Sequence, residues 1–398
     1  MRATSILALA AVAATLSATA AEAKLERFYV GTFTAPASGR GAQPGNRAAG
    51  IYVGELDTTT GKLTTPRLVA KGASPSWLVY DKGRGMLYAT NEYNGFPDPK
   101  TGSNGGSISV YHADKASGDL TPLPPVAIAN STNIKIDPSG KWLIGASYSD
   151  GVASLMPVGA DGAVSAVVDV FKATGPRNPD FAADQPRGNQ QTSPHNQARI
   201  HNVAFHPGGK YVALDDAGLD QISIFTYADG KLTKVNSYPQ MPGSSPRHSV
   251  WDAAGRNLYT VFEQDMMVSV NAFDPTTGTL TQKQRLSTLP ANFAGTATAS
   301  EILLSKDGKH LYSANRFHDS IAHFRVKPDG TLIYVSDTPT GAEVPRGLVL
   351  DPSGQFLLAG GQNNDSIAVF RLDPKTGEPK RTDNYTNVLS PAHFAFVD

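Results

Sequence analysis

The sequence predicts an all-β fold, a seven-bladed β-propeller. Three observations carry that expectation: one turn-punctuated unit recurs along the chain, its closing turn occurs seven times, and the two ends of the chain complement each other. The unit runs as a short strand, a turn with Gly, a second strand, a polar corner, a third strand and a turn ending in Gly-x-Leu. It is plainest near the C-terminus. There Arg346 to Leu350 is followed by Asp351-Pro352-Ser353-Gly354-Gln355, then Phe356 to Ala359, then Ser366 to Leu372, then Asp373-Pro374-Lys375-Thr376-Gly377.

The first turn recurs as Asp81-Lys82-Gly83, Asp137-Pro138-Ser139-Gly140, His206-Pro207-Gly208-Gly209, Asp252-Ala253-Ala254-Gly255 and Lys306-Asp307-Gly308. The closing turn recurs as Asp57 to Leu63, Asp114 to Gly118, Asp161-Gly162, Asp229 to Leu232, Asp274 to Gly278 and Pro328 to Leu332. Asp supplies side-chain turns, Pro a fixed φ and Gly a free one. Val, Ile, Tyr and Phe alternate with polar residues between the turns, as in antiparallel strands. Four short strands per unit, repeating every ~40–50 residues, is the propeller pattern.

The first unit opens at Phe28 to Phe33, which matches a second strand and lacks a first. The last residues, Ala392 to Val397, match a first strand with nothing after it. The C-terminus is therefore expected to supply the innermost strand of blade 1, pairing the edges a linear array would leave open. The segment Lys172 to Ala198, rich in Pro, Asn, Gln and Gly, breaks the period and is read as a flap over one face.

The N-terminus reads as a secretory leader over residues 1–23. Arg2 supplies the positive end, Ile6 to Leu16 an apolar run, and Ala21-Glu22-Ala23 a small-x-small cleavage pattern before Lys24. The run is shorter than the ~20 residues a membrane span needs. Residues 24–398 then form the propeller, expected in the periplasm or secreted.

Composition excludes several functions. Lys+Arg and Asp+Glu both number 35, so no basic excess marks a nucleic-acid binder. With no cysteine, thiol catalysis and Cys-ligated zinc are ruled out. Gly-x-Ser-x-Gly and His-Glu-x-x-His are both missing. The glycine-rich stretch Gly102 to Gly106 is read as a loop that leads into a strand, not the helix a phosphate cradle needs. No cofactor and no metal is expected. The expected partner is a small molecule bound by a monomeric chain, with no nucleic acid and, after leader removal, no membrane.

Within an antiparallel blade, the start of strand 1 lies beside the end of strand 2, close to the central channel. Reading only those positions around the ring gives His201, Arg247, His248, Glu301, Arg346 and His393 from strand 1. It gives Asn91, Glu92, Asp215, Asp216, Glu263, Asn315, Arg316 and Gln362 from strand 2. A channel mouth ringed by Arg, His and Glu suits an anionic or polyhydroxylated small molecule. Each residue alone is as compatible with a strand-end hydrogen bond or a ring-closing ion pair; the convergence of several blades carries the argument. As rim groups near water they are expected to contribute ~1 kcal/mol or less each to stability.

These residues resemble the lactonase family of seven-bladed propellers, which includes bacterial 6-phosphogluconolactonase and the fungal carboxy-muconate lactonising enzyme. The motifs are Tyr29-Val30-Gly31-Thr32-Phe33 followed by Gly50-Ile51-Tyr52, His201-Asn202-Val203, Asp216 to Asp220, Pro246-Arg247-His248, Ser313-Ala314-Asn315-Arg316 and Pro345-Arg346. The resemblance implies a catalytic set of His201, Arg247, Glu263 and Arg316. His248, Asn315, Arg346, Asp216 and Glu92 are expected to bind substrate. Arg199 stands where the phosphogluconolactonase-like members carry a second His, and Glu263 sits in Phe-Glu-Gln rather than Asn-Glu-Leu. These departures bear on substrate more than on reaction type. The implied activity is hydrolysis of a sugar lactone, with His201 or Glu263 as the base. The alternatives are a muconate-type lactonising isomerase and a propeller that binds a ligand or protein without turnover.

Overall fold

Strands this short cannot bury a face alone, so each repeat forms a sheet that must pack against the next. The computed structural model describes residues 24–34, 48–97, 104–175 and 195–397. The expected leader, residues 1–23, lies outside the described residues, as does most of the expected flap, residues 176–194. Seven antiparallel sheets are present; six are four-stranded and the second carries a fifth short strand, because its outer strand is split into Leu120–Pro122 and Val126–Ile128. The first strands of all seven sheets contact one another in one unbroken ring around the channel.

The core is accordingly divided among the blade interfaces. Seven buried clusters lie one between each neighbouring pair of sheets. Aromatic residues early in the second strand reach across these interfaces. Tyr29, Tyr88, Tyr259 and Tyr312 each donate a hydroxyl to a carbonyl in the next blade's closing turn, at Gly118, Gly162, Gly330 and Gly377. Gly162 and Gly377 take positive φ of 84° and 71°, and a Cβ at Gly162 would lie 2.6 Å from Met86 Cγ. The closing turn is therefore glycine for two reasons: its backbone is left-handed and the neighbouring blade presses on it.

The ring closes as the chain ends predict. Pro391–Phe396 pairs with Leu25–Thr32, with Phe28 opposite Phe396 and Val30 opposite Phe394. The resulting sheet runs from the C-terminal strand outward through Leu25–Thr32, Gly50–Asp57 and Arg67–Lys71. Phe394 is 2% exposed and joins the cluster between blades 7 and 1 with Phe28, Phe356 and Leu358. One expectation is corrected. Gly105 and Gly106 are not in a loop; they sit inside the strand Asn104–Ala113. A Cβ there would meet Ile128 O at 2.3 Å and Asn91 O at 2.4 Å, so the glycines admit neighbouring backbone rather than a ligand.

Closure by a single strand gives a direct test. Phe394→Ala should destabilise the protein by about 3–5 kcal/mol in urea unfolding, as for other buried aromatic truncations. Deletion of residues 391–398 should yield aggregated chain or a melting temperature lower by more than ~10 °C. A truncated chain that melts like the parent would contradict closure by this strand.

Candidate active site

The charged residues reach the channel through a repeated backbone irregularity. In blade 4, Ile200 pairs with Asp216 and Asn202 with Asp215, which leaves His201 without a partner residue. In blade 5, Pro246 pairs with Phe262 and His248 with Val261, leaving Arg247. In blade 7, Pro345 pairs with Gly361 and Gly347 with Gly360, leaving Arg346. Blade 6 widens the pattern: Ala299 pairs with Asn315 and Ile302 with Ser313, so Ser300 and Glu301 together face Ala314. A bulge at the head of an inner strand breaks the two-residue alternation and turns its extra residue out of the blade interface. Each bulge therefore aims one side chain at the same end of the channel.

Glu263, just past the second strand of blade 5, is the centre of the cluster. Its Oε1 lies 2.8 Å from Arg316 Nη2 and its Oε2 3.3 Å from Arg247 Nε. Arg316 also donates to Ala299 O at 2.8 Å, and Arg247 Nη1 donates to Ser300 O. Glu263 is fixed in turn through its backbone, which donates to Ser245 O and accepts from Ala299 N. Burial alone would push the Glu263 carboxyl up; Arg316 and Arg247 overcome it and hold the group well below the usual carboxylate range. Arg247, buried and beside Arg316, is pushed down to about 9.

His201 stands next to this cluster, its ring 5.1 Å from that of His248 and 5.5 Å from that of Tyr148. Burial, and then the charge of Arg247, pull the His201 imidazole well below its ordinary 6.5, so it is neutral near pH 7. Its buried Nδ1 has no hydrogen-bond partner among the described residues. Arg346 lays its guanidinium over the Phe33 ring at 4.8 Å; burial lowers its pKa, and Glu92 is the carboxylate that most opposes that shift. Glu92 Oε2 accepts from Ser76 Oγ at 2.7 Å.

Two of the sequence candidates are also engaged by the fold. Asn315 donates through Nδ2 to Thr288 O at 2.9 Å and is fully buried. Asp216 Oδ1 accepts from the backbone N–H of Arg199, Gly218 and Leu219, which ties the turn after the second strand of blade 4. Asp215 likewise joins blades, accepting from Asn202 and from Ser249 of blade 5, and burial pushes it up to about 6.

The sequence did not single out two residues at the floor of the site, Trp77 and Lys135. Trp77 of blade 2 stacks on His393 at 3.7 Å and meets His248 edge-on at 5.1 Å, while Lys135 Nζ sits 4.8 Å from its ring centre. These residues come from blades 1, 2, 3 and 5, so the indole spans the channel. Lys135 in Ile134-Lys135-Ile136, a lone cation inside an apolar inner strand, was the available signal. A cavity of about 370 Å³ lined by Lys135, Val203, Phe205, Ser249 and Trp251 opens at the opposite end of the inner strands.

A second constellation off the axis looks catalytic and is not built as a relay. His195 Nε2 lies 3.2 Å from both Asp220 Oδ1 and Ser245 Oγ, and that hydroxyl donates to Ala217 O at 3.0 Å. A nucleophile relay needs the acid and the hydroxyl on opposite ring nitrogens. Among the described residues, no group of three or more His, Asp or Glu is placed to hold a metal ion.

Comparison with known proteins follows the same outline. A family model described as "Lactonase, 7-bladed beta-propeller" matches residues 27–396. The chain is 30% identical to 6-phosphogluconolactonase of Bacillus subtilis over 372 residues, 93% of this chain and 97% of that one. It is 29% identical to a 6-phosphogluconolactonase of Formosa agariphila, over 88% of this chain and 93% of that one. The structure of a periplasmic gluconolactonase of Pseudomonas aeruginosa superposes with a TM-score of 0.79 at 28% identity, covering 94% of this chain and 99% of that one.

The burial of the cluster overturns the expectation that its charges are dispensable for folding. Arg247 is 2% exposed and Glu263 9%, so they do not sit at a watery rim. Glu263→Gln leaves two guanidinium groups facing each other and should cost about 3–5 kcal/mol in urea unfolding. Arg316→Met should cost less, because Glu263 keeps Arg247. Equal and negligible losses would show that the ion pairs carry no folding energy.

Proposed function

The chain belongs to the lactonase family of seven-bladed β-propellers, and from that premise we propose that it hydrolyses a sugar lactone at the channel mouth, gluconolactone or a 6-phosphogluconolactone-like ester. The observation that carries this reading is the Glu263 carboxylate held between Arg316 and Arg247 beside a neutral His201.

Attack of water on the lactone carbonyl sends negative charge first to the carbonyl oxygen and then to the ring oxygen. Arg247 and Arg316 are fixed donors in a dry setting and meet that charge without reorganisation. Glu263 keeps them in place; a carboxylate held so far down is a poor base. The proton from water therefore goes to His201, whose neutral ring accepts it and returns it to the leaving alkoxide. The proton count closes: water adds hydroxyl to the acyl carbon, the carbon–ring oxygen bond breaks, and the alkoxide becomes an alcohol.

We also propose export, with cleavage before Lys24. The leader pattern supports it, and the Pseudomonas aeruginosa relative is a periplasmic gluconolactonase. Export favours an unphosphorylated lactone over a phosphorylated intermediate of the cytosol. The mass of protein from the periplasmic fraction should lack residues 1–23; full-length chain in the cytosol would refute this.

The test of function is acid release by the purified mature chain from gluconolactone, 6-phosphogluconolactone and a muconolactone. Turnover of a sugar lactone is expected, and His201→Gln should lower kcat by roughly a hundredfold or more. Because the base must be unprotonated and its pKa is held down, the acid limb of kcat/KM should fall below pH 6.5. Isomerised muconolactone without hydrolysis would favour the isomerase, and binding without turnover a binding propeller.

A further inference from the structure

Two consecutive residues of blade 5, Arg247 and His248, are both gripped by the two-residue bulge of blade 6. Ser300 O accepts Arg247 Nη1, and Glu301 Oε1 lies 2.9 Å from His248 Nδ1. Ser300 Oγ turns the other way and donates to Pro345 O of blade 7 at 2.7 Å. We propose that Glu301 is a positioning residue of the site: it locks His248 in the Nδ1–H tautomer, so that His248 presents only an acceptor, Nε2, to the Arg247 guanidinium. The catalytic consequence rests on the lactonase reading; the tautomer does not.

The assignment follows from counting protons. Glu301 Oε1 already accepts the backbone N–H of Ile302 at 3.1 Å, which marks it as an acceptor. The proton of the His248–Glu301 contact is therefore on Nδ1. Burial, and then the charges of Arg247 and Lys135, keep His248 neutral, so Nε2 carries none. Arg247 Nη1 stands 3.3 Å from that nitrogen and 3.4 Å from Nδ1, so it faces both ring nitrogens. A guanidinium has donors and no acceptor, so with Nδ1–H given to Glu301 only the unprotonated Nε2 can receive it. Glu301 thus orients the ring, and the ring with Ser300 O orients the cation that faces Glu263.

His248 is itself 3% exposed, with Arg247 on one side and the edge of Trp77 on another. It is placed to hold Arg247 rather than to touch substrate. The carboxylate acts one step further back, as outer partners fix the tautomer of a ligand histidine in metal sites.

Long-range proton–nitrogen spectra of isotopically labelled histidine, near neutral pH, read the tautomer without any activity. His248, identified by signal loss in His248→Gln, should be Nδ1–H in the parent. Glu301→Ala should populate Nε2–H, and Glu301→Gln, which keeps an acceptor oxygen, should restore Nδ1–H. With gluconolactone, Glu301→Ala should lower kcat about tenfold or more while KM moves less than about threefold, and Glu301→Gln should recover most of the loss. An Nε2–H tautomer in the parent, or an unchanged kcat in folded Glu301→Ala, overturns the proposal. If Glu301→Ala does not fold, the parent spectrum and Glu301→Asp, whose shorter carboxylate withdraws from Nδ1, carry the same two outcomes. A parent that shows the Nδ1–H tautomer but hydrolyses no lactone refutes the function and leaves the positioning intact.

Discussion

The upper channel depends on one extra residue at the head of an inner strand. In a regular strand, alternate side chains go to the two neighbouring blades, and that alternation is what fills the seven interfaces. A polar side chain in register would be driven into an apolar cluster. The bulge releases one position from this rule, so His201, Arg247 and Arg346 leave the interface while Val203, Val250 and Leu348 below them still pack in it. The fold and the site therefore do not compete for the same residues. Blade 1 shows the device without the chemistry: its irregularity falls where Thr32 pairs with Pro391 after Gly31 pairs with His393.

Gathering cations this way creates an electrostatic problem that Glu263 resolves. Burial, and then the charge of Arg316, lower the Arg247 pKa, yet at about 9 it keeps its charge at ordinary pH. One carboxylate between them satisfies both and becomes fixed itself. The same positive field, added to burial, keeps His201 and His248 neutral. Acidic, basic and hydrogen-bonding roles are thus separated by environment rather than by residue type, which is how perturbed sites usually arise.

Turn chemistry made the fold legible. Each closing glycine is required by a positive φ and by a neighbour's pressure, so it stands out even in one sequence. The strand-end positions likewise brought Arg247, Glu263, Arg316, His201 and His248 to one place. The bulges were not legible, because a single extra residue leaves no mark in composition. That is also why Asn315 and Asp216, at the right strand ends, could not be told from the others: their hydrogen bonds go to backbone that only the folded turns bring near. Trp77 escaped because it lies just before its strand, and an aromatic residue there reads as core.

The Trp77 floor bears on how such a channel excludes water. A propeller is open along its axis by construction, and an electrostatic site in an open pore would be screened from both ends. Here the indole, stacked on His393 and edge-on to His248, fills the axis beneath the charged cluster. His393 Nδ1 accepts the backbone N–H of Leu78, the residue after Trp77, which fixes the stack to the blade that supplies the ring. Burial holds the His393 pKa down at about 3, so the partner beneath the indole stays uncharged. Lys135, whose Nζ lies 4.8 Å from the centre of the indole, also lines the 370 Å³ cavity at the other end of the inner strands. Arg247 and Arg316 are 2% and 8% exposed, so the strength of their field follows from burial as much as from their number.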